Sequence, residues 1–198
     1  VYAGAGVTGG ALLKFACRSS IGGFSPLSGI PLTVGGGVTM NAGVKDLYFS
    51  DLVRRVVCVE AGKLRTLEQS ECAFGKKESI FQQGIAVLGV CLQGRYARPA
   101  DIARESCYYR SKRKHLPKGR SMGCTFVNPE GTTAGALIEA CGLKGMRIGG
   151  AFVSDKHANF ICNEGQRARD VAALIEYIKK TVEERTGIVL REEIRRLP

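Results

Sequence analysis

The sequence predicts an α+β fold, and three segments carry that prediction. Residues 53–60 form a β-branched run of strand length that ends at Ala61-Gly62, and residues 85–92 form a second apolar run of similar length. Near the end of the chain, apolar residues instead repeat at the spacing of one helix face: Val171, Leu174, Ile175, Ile178 and Val182. This periodicity predicts an amphipathic helix from Asp170 to about Arg185.

Local signals predict three further helices. Residues 11–17 fit a short helix between two glycine clusters. Pro99 marks the first turn of another helix, because the N–H group that proline lacks is not needed there. Thr132 or Thr133 can cap a helix over residues 134–141, which Gly142 would end in the left-handed conformation.

Glycine gives the remaining punctuation of the chain. Gly187 is predicted to stop the last helix, and residues 188–190 then read as a short strand. Glycine is concentrated in residues 1–43, and the signals change character after the second apolar run begins. We therefore expect two domains, residues 1–84 and residues 85–198.

Composition indicates an ordinary globular protein. Of the 198 residues 44% are hydrophobic and 24% are charged. No apolar run approaches the roughly 20 residues that span a bilayer, so a membrane protein is not expected. Val1 stands where an initiator methionine would, with neither the basic start nor the long apolar stretch of a signal peptide. We expect a truncated chain that belongs in the cytoplasm.

The eight cysteines predict neither a zinc site nor a disulfide framework. They are scattered without a C-x-x-C pair, and the chain has only two histidines. In a protein without a secretory signal, cysteines of this kind are expected to be reduced thiols. The sequence therefore predicts no metal.

The net charge of +11 suggests an anionic partner. Basic residues are densest in residues 110–120, directly after Tyr108 and Tyr109, which is the mixture that binds single-stranded nucleic acid. A nucleotide diphosphate would satisfy the charge equally well, and such a run is more often a solvated loop. Charge alone does not choose among these alternatives.

Residues 28–43 are the first candidate site. The three consecutive glycines Gly35, Gly36 and Gly37, with Thr33 and Asn41 nearby, would expose backbone N–H groups with little side-chain bulk. A pyrophosphate or a flat ring needs such a surface. The alternative is a tight bend between strands.

Cys124 and Glu193 are the second and third candidates. Gly123 allows a tight turn before Cys124, so the thiol could project into a cleft and donate a proton or act as a nucleophile. The alternative for Cys124 is a buried structural cysteine. The alternative for Glu193, which lies among arginines, is a surface ion pair that contributes little to stability.

The candidates fall into one ordered series of motifs. The series consists of Gly29-Ile-Pro, Thr33-Val-Gly-Gly36, Met40-Asn-Ala-Gly43, Phe74-Gly-Lys-Lys-Glu-Ser79, Gly123-Cys-Thr-Phe-Val-Asn-Pro129, Ala134-Gly-Ala-Leu-Ile-Glu139, Gly142-Leu-Lys-Gly145, Ser154-Asp-Lys-His-Ala-Asn-Phe160 and Leu190-x-x-Glu-Ile194. This series resembles the UDP-N-acetylenolpyruvoylglucosamine reductase (MurB) family. The likeness covers nearly the whole chain but lacks the family's N-terminal flavin-binding lobe.

The resemblance implies a fold and a reaction. The fold would be the second lobe of an FAD-binding domain of the PCMH/VAO type, followed by a C-terminal α+β substrate-binding domain. The cofactors would be FAD and NADPH, and the substrate UDP-N-acetylglucosamine enolpyruvate, which is reduced to UDP-N-acetylmuramate for peptidoglycan. The chain would act as a monomer, without nucleic acid or membrane as a partner.

The resemblance also implies a role for each candidate residue. Cys124 would be the proton donor, where the family usually has serine, Glu193 would face the substrate carboxylate, and Lys77 would stand where the family has arginine. The FAD-binding residues would be Gly29, Ile30, Pro31, Thr33, Gly35, Gly36, Asn41, Ala42 and Gly43. The substrate-binding residues would be Ser79, Asn128, His157 and Asn159.

Two departures from the family pattern leave alternatives open. The family usually has glycine at the position of Leu32, which is awkward if that position needs positive φ. Lysine at position 77 offers a point charge instead of the planar fork of arginine. A non-catalytic or truncated remnant that binds a nucleotide sugar is therefore the alternative function, with nucleic-acid binding as a further one.

Overall fold

The computed structural model describes residues 1–44 and 47–196, and the chain divides into two compact units. Unit 1 spans Val1–Lys114 and unit 2 begins at His115. The expected boundary near residue 84 is therefore wrong in position. The run after residue 84 forms a strand that pairs with strands of unit 1, so it cannot belong to a separate C-terminal domain.

Unit 1 contains eight of the strands and four α-helices among the described residues. The strands are β1 (Tyr2–Gly4), β2 (Ile21–Gly22), β3 (Gly43–Val44), β4 (Leu47–Tyr48), β5 (Val53–Glu60), β6 (Lys63–Glu68), β7 (Ala86–Leu92) and β8 (Arg95–Tyr96). The helices are α1 (Gly9–Arg18), α2 (Val34–Thr39), α3 (Phe49–Leu52) and α4 (Pro99–Ser111), with short 3₁₀ turns at Ser25–Leu27, Gln69–Cys72 and Ile80–Gln83.

An antiparallel sheet of order β1-β7-β5-β6 is the centre of unit 1. The hairpin between β5 and β6 pairs Glu60 with Lys63 across a two-residue loop. Both loop residues, Ala61 and Gly62, have positive φ, which is the conformation that two-residue hairpin loops favour. The predicted strand at residues 53–60 is confirmed with these same bounds.

The core of unit 1 is formed by helices and strands whose apolar residues are buried together. Its fully enclosed members include Ala16, Phe24, Val34, Val38, Phe49, Val53, Val56 and Val90. The predicted helix at residues 11–17 lies within α1, which Thr8 caps by accepting from the Ala11 N–H. The helix predicted from Pro99 is α4, with proline in its first turn.

Unit 2 has four strands and two helices among the residues described. The elements are β9 (Ser121–Cys124), α5 (Ala134–Ala140), β10 (Arg147–Ile148), β11 (Ala151–Val153), β12 (Phe160–Asn163) and α6 (Ala168–Thr186). The sheet has order β10-β11-β12-β9 and is antiparallel throughout. Its core gathers Phe126, Ile138, Ala151, Val153, Leu174, Ile175, Ile178 and Val182.

The two helices of unit 2 are confirmed, with α5 ending one residue earlier and α6 beginning two residues earlier than the sequence predicts. Thr133 caps α5 by accepting from the Ala136 N–H, and Gly142 follows with φ of 67°. Gly187 ends α6 with φ of 71°. The strand predicted at residues 188–190 is wrong, because these residues have no regular structure and the chain makes its bridge later, at Glu192. The predicted α+β class is confirmed.

Candidate active site

The glycine-rich candidate segment forms helix α2 in place of an open loop or a tight bend. Thr33 caps the helix by accepting from the Gly36 N–H at 3.2 Å. The next N–H groups are also occupied, since Val34 donates to the Val7 carbonyl, Gly35 to the Ala5 carbonyl and Gly37 to the Thr33 carbonyl. The expectation that these glycines offer their N–H groups to a ligand is therefore wrong.

The three glycines of α2 differ in how closely they are packed. A Cβ atom at Gly35 would lie 2.8 Å from the Cβ of Ala5, and one at Gly37 would collide with the ring of Phe49. Gly36 is exposed, and a Cβ there would approach only the Thr33 hydroxyl, at 3.2 Å. Gly36 is thus the member of the triplet that presents bare backbone to the surface.

Leu32 fits its position without backbone strain. It is absent from the residues with positive φ, and its side chain lies over the backbone of Gly9 at the start of α1. Gly29, with φ of 83°, does require the left-handed conformation. Gly29 is exposed, as is Pro31, and Ile30 is half-buried against the core of unit 1.

Asn41 joins the end of α2 to the segment that carries Lys77. Its side chain is buried, accepts from the Ser50 N–H at 2.9 Å and donates to the Gly75 carbonyl at 2.8 Å. Ser79 is also buried and donates its hydroxyl to the Thr39 carbonyl at 2.7 Å. Unit 1 therefore brings the predicted residues Asn41, Lys77 and Ser79 together.

Backbone geometry fixes the neighbours of this cluster. Lys77 has φ of 63°, a left-handed conformation that is uncommon for lysine, and its carbonyl accepts from the Gln82 side chain at 2.8 Å. Ala42 donates to the Gly37 carbonyl and accepts from the Phe49 N–H. Gly43 pairs with Tyr48 so closely that a Cβ atom would collide with the backbone of Leu47.

In unit 2, Cys124 ends strand β9 opposite Phe160 of β12 and is half-buried. Gly123 precedes it with φ of 82°, and a Cβ at Gly123 would meet nothing within 4 Å. The predicted tight turn before the thiol is wrong, because Gly123 lies inside strand β9, where the pairing with β12 shifts register. Cys124 is thus neither deeply buried like Cys58 and Cys141 nor exposed like Cys107.

Asn159 holds the backbone that follows Cys124. Its side chain is only 2% exposed, and its Oδ1 accepts from the N–H of Phe126 at 2.9 Å and that of Thr125 at 3.2 Å. Its Nδ2 donates to the Phe126 carbonyl at 2.8 Å, and its own carbonyl accepts from the Thr125 N–H at 2.8 Å. The sequence offers one signal for this role, a single amide between apolar residues, because buried polar groups are normally hydrogen-bonded.

The C-terminal candidate Glu193 lies against the same segment from the other side. Glu193 donates its backbone N–H to the Thr125 carbonyl at 2.8 Å, and Val127 donates to the Arg191 carbonyl at 2.9 Å. The neighbouring Glu192 forms ion pairs with Lys179 and Arg196. Unit 2 therefore brings Cys124 and Glu193 onto adjacent stretches of backbone.

His157 and Asn128 complete the predicted residues of unit 2. The His157 Nδ1 accepts from the Asn159 N–H at 3.3 Å, and its ring packs on Phe160 with 4.9 Å between centroids. Burial lowers the pKa of His157, with the positive charge of His115 acting in the same direction. Asn128 is exposed, and its Oδ1 accepts from the Ala134 N–H at the start of α5.

The basic cluster is only partly a solvated loop. Arg113, a member of this cluster, donates to the carbonyls of Ser28 at 2.6 Å, Tyr109 at 3.1 Å and Pro26 at 3.1 Å. Burial lowers the pKa of Arg113, and its side chain also lies against Gly29. Lys112 sits 4.3 Å from the centre of the Tyr108 ring.

The described residues contain neither a metal-binding cluster nor a membrane-spanning helix. Among residues 1–44 and 47–196, no group of three or more histidine, cysteine or acidic side chains could hold a metal ion. Within the same residues, no helix combines the length and the apolar composition that crossing a membrane requires.

Comparison with known proteins gives consistent matches. The sequence model of the family "UDP-N-acetylenolpyruvoylglucosamine reductase, C-terminal domain" matches residues 114–197. The reductase of that name from Desulforamulus reducens is 40% identical over 98% of this chain and 66% of its own length, and that from Thermus thermophilus is 37% identical over 90% and 68%. The crystal structure of the Thermus caldophilus enzyme is 36% identical with a TM-score of 0.88, covering 100% of this chain and 73% of that one.

Fold and matched region together define an α+β protein whose second unit is in the class of the C-terminal domains of this reductase. The match to full-length relatives extends the assignment to unit 1. The chain belongs to the UDP-N-acetylenolpyruvoylglucosamine reductase family. It spans about two thirds of the length of the curated relatives it matches, and 58% of the one from Syntrophobacter fumaroxidans.

Proposed function

We propose that this chain carries the NADPH-driven, FAD-dependent reduction of UDP-N-acetylglucosamine enolpyruvate to UDP-N-acetylmuramate, as a monomer in the cytoplasm. The observation that carries the proposal is the backbone contact of Glu193 with Thr125, beside Cys124. It brings the backbone of Glu193 next to the residue that follows Cys124, although the two residues are far apart in sequence. Family membership supports the choice of substrate, because the relatives are named for this reaction.

The residues of unit 1 fit part of the proposed flavin. Segment 5–7 lies against the start of α2, where Gly6 and Gly36 are both exposed. A Cβ atom at Gly6 would meet nothing within 4 Å, so this surface admits the close approach of a flat ring. The N–H groups of residues 34–37 are already occupied, so the donors for the pyrophosphate would come from outside this helix.

Each candidate residue has a chemical task in the proposed reaction. When bound, FAD that NADPH has reduced supplies a hydride to one carbon of the enolpyruvyl double bond. Cys124 donates its thiol proton to the other carbon, and the resulting thiolate recovers a proton from solvent. The Lys77 ammonium would attract the substrate carboxylate, and Glu193 would face the carbon that Cys124 protonates.

The second candidate function is nucleotide-sugar binding without flavin. The N–H groups at the start of α2 are used within the protein, so the pyrophosphate of FAD finds no donors there, and this favours the second candidate. This candidate and the proposed reduction differ in one property. Only the reduction requires the chain to retain FAD.

The deciding experiment uses the 198-residue chain itself. The purified chain is incubated with FAD, separated from free flavin and assayed for NADPH oxidation with and without UDP-N-acetylglucosamine enolpyruvate. Retained flavin and substrate-dependent formation of UDP-N-acetylmuramate are expected. Binding of the nucleotide sugar by calorimetry with no flavin retained would establish the second candidate in its place.

A further inference from the structure

We propose that Asn159 is a positioning residue that sets the direction of the Cys124 side chain. The idea rests on the proposed function for the task of Cys124, but its geometry does not. Asn159 holds the backbone after Cys124 through three hydrogen bonds of its side chain and a fourth that its backbone carbonyl accepts. All of these contacts lie in the interior, because Asn159 is only 2% exposed.

The covalent geometry of the chain explains how the effect reaches Cys124. The Thr125 N–H belongs to the rigid peptide plane that contains the Cys124 carbonyl. Asn159 receives this N–H both at its carbonyl, at 2.8 Å, and at its Oδ1, at 3.2 Å. Holding that plane, together with the pairing of Cys124 and Phe160, restricts the ψ angle of Cys124 and so the direction of its Cα–Cβ bond.

The following peptide planes are held in the same way. The Phe126 N–H donates to Oδ1 at 2.9 Å, and the Phe126 carbonyl accepts from Nδ2 at 2.8 Å. A planar amide offers an acceptor and a donor on two atoms of one rigid group, whereas alanine has neither and serine has both on a single shorter hydroxyl. Upstream, strand β9 is held by its pairing with β12, but Gly123 has no side chain and its backbone is less restricted, so the downstream hydrogen bonds add to the restraint.

Asn159 is itself held by His157. The His157 Nδ1 accepts the Asn159 N–H at 3.3 Å, while the imidazole packs on Phe160, the residue paired with Cys124. A nitrogen that accepts carries no proton, so this contact belongs to the neutral ring. The lowered pKa of His157 is consistent with that form.

This role differs from the direct substrate contact that the family resemblance implies for Asn159. Its Oδ1 already accepts two hydrogen bonds and its Nδ2 already donates one. Asn128, by contrast, is exposed at the same segment. Substrate contact through an amide is therefore better suited to Asn128, and Asn159 acts through Cys124.

The test compares Asn159→Ala with Asn163→Ala. Asn163 is the last residue of β12, the strand that begins directly after Asn159, and its amide accepts from the Gly165 N–H, away from Cys124. Hydrogen exchange at Thr125 and Phe126 is measured together with alkylation of each cysteine by iodoacetamide, resolved by peptide mass spectrometry across pH. Exposed Cys107 is the internal reference.

In Asn159→Ala, exchange protection at Thr125 and Phe126 is expected to fall roughly 10- to 100-fold, because the buried hydrogen bonds that close this segment are lost. Alkylation of Cys124 relative to Cys107 should rise about tenfold, since it proceeds through the same opening. Asn163→Ala should change neither, and Asn159→Asp, which keeps the acceptor but loses the donor, should fall between.

An unchanged Cys124 alkylation profile in folded Asn159→Ala would overturn the proposal. If that variant does not fold, the unaltered chain decides, because fast exchange at both Thr125 and Phe126 is incompatible with the restraint. Where the chain turns over substrate, Asn159→Ala should lower the rate of flavin reoxidation by substrate on the order of 100-fold, with little change in KM. A chain with no turnover but with the expected exchange and alkylation results refutes the proposed function alone.

Discussion

Glu193 donates its backbone N–H to the carbonyl of Thr125, at 2.8 Å, and thereby places the end of the chain beside the residue that follows Cys124. Neither Cys124 nor Glu193 alone identifies a site, since a lone cysteine is usually structural and a glutamate among arginines usually forms a surface ion pair. The backbone hydrogen bond places Glu193 next to the residue that follows the candidate proton donor Cys124.

Replacing Cys124 with alanine should separate the two half-reactions. Reduction of bound flavin by NADPH should be unchanged, while reoxidation by substrate should slow about 10²- to 10⁴-fold, the usual contribution of a positioned acid. Stopped-flow absorbance of the flavin measures both rates. Cys124→Ser should restore much of the loss, and Cys107→Ala on α4 is the matched control. Equal slowing of both half-reactions would refute the proton-donor role.

Replacing Lys77 with arginine should maintain or raise turnover with substrate. Arginine restores a planar fork that can hold a carboxylate through two hydrogen bonds, where lysine offers a point charge. The left-handed backbone at position 77 is kept, because the substitution changes only the side chain beyond Cβ. Steady-state kinetics measure the effect, with the exposed neighbour Lys76→Arg as control. A collapse of turnover specific to Lys77→Arg would show that the site requires lysine.

The glycines of α2 should respond differently to alanine. Gly37→Ala should destabilise unit 1 by about 1–3 kcal/mol, because the new methyl group overpacks against Phe49. Gly36→Ala should cost much less, since that position is exposed and the new Cβ meets only the Thr33 hydroxyl. Urea unfolding gives the free energies of unfolding. Similar costs for both variants would contradict the packing described for Gly37.

Alkaline pH should weaken unit 1 through Cys72. Burial raises the pKa of this fully buried thiol from 9.0 to about 11, with nearby Cys58 adding to the effect. A raised pKa means that the unfolded chain loses the proton first, so stability is complete below about pH 9 and falls as pH rises toward about 11. Urea midpoints across this window measure the loss, on the order of 2 kcal/mol.

The control for this pH dependence is a variant that cannot ionise at position 72. Cys72→Ala should lower stability at neutral pH, because it leaves a cavity, but it should flatten the decline between about pH 9 and pH 11. Cys107→Ala, at an exposed site, should leave the decline unchanged. A decline of the same steepness in Cys72→Ala would assign it to other groups.

Local signals in the sequence were sufficient for some of the regular elements. The β-branched run of β5, the cap at Thr133 and the stop at Gly187 each act within a few residues, so spacing and residue type determine them. The domain boundary depends on pairing of β7 with β5 and β1. That pairing is a long-range choice that no local pattern encodes, which explains the misplaced boundary.

The sequence nominates members of a candidate site but does not give their arrangement. The order of motifs nominated Cys124, Glu193, Lys77 and Asn41. The structure places Asn41 and Lys77 in unit 1, and Cys124 and Glu193 in unit 2. Which side chains are already engaged could not be read from the sequence. Burial and hydrogen bonding decide that Asn159 and Ser79 bond to backbone, and that the N–H groups of Val34, Gly35, Gly36 and Gly37 are occupied internally.

The position of Glu193 along the chain also fixes when its site can exist. Ribosomes add residues at about 5–20 per second, so the stretch that contacts Thr125 emerges several seconds after Cys124. Until then the Thr125 carbonyl and the Val127 N–H lack their partners at Glu193 and Arg191. A nascent chain therefore holds the segment after Cys124 without these two hydrogen bonds until residues 191–193 have emerged from the ribosome.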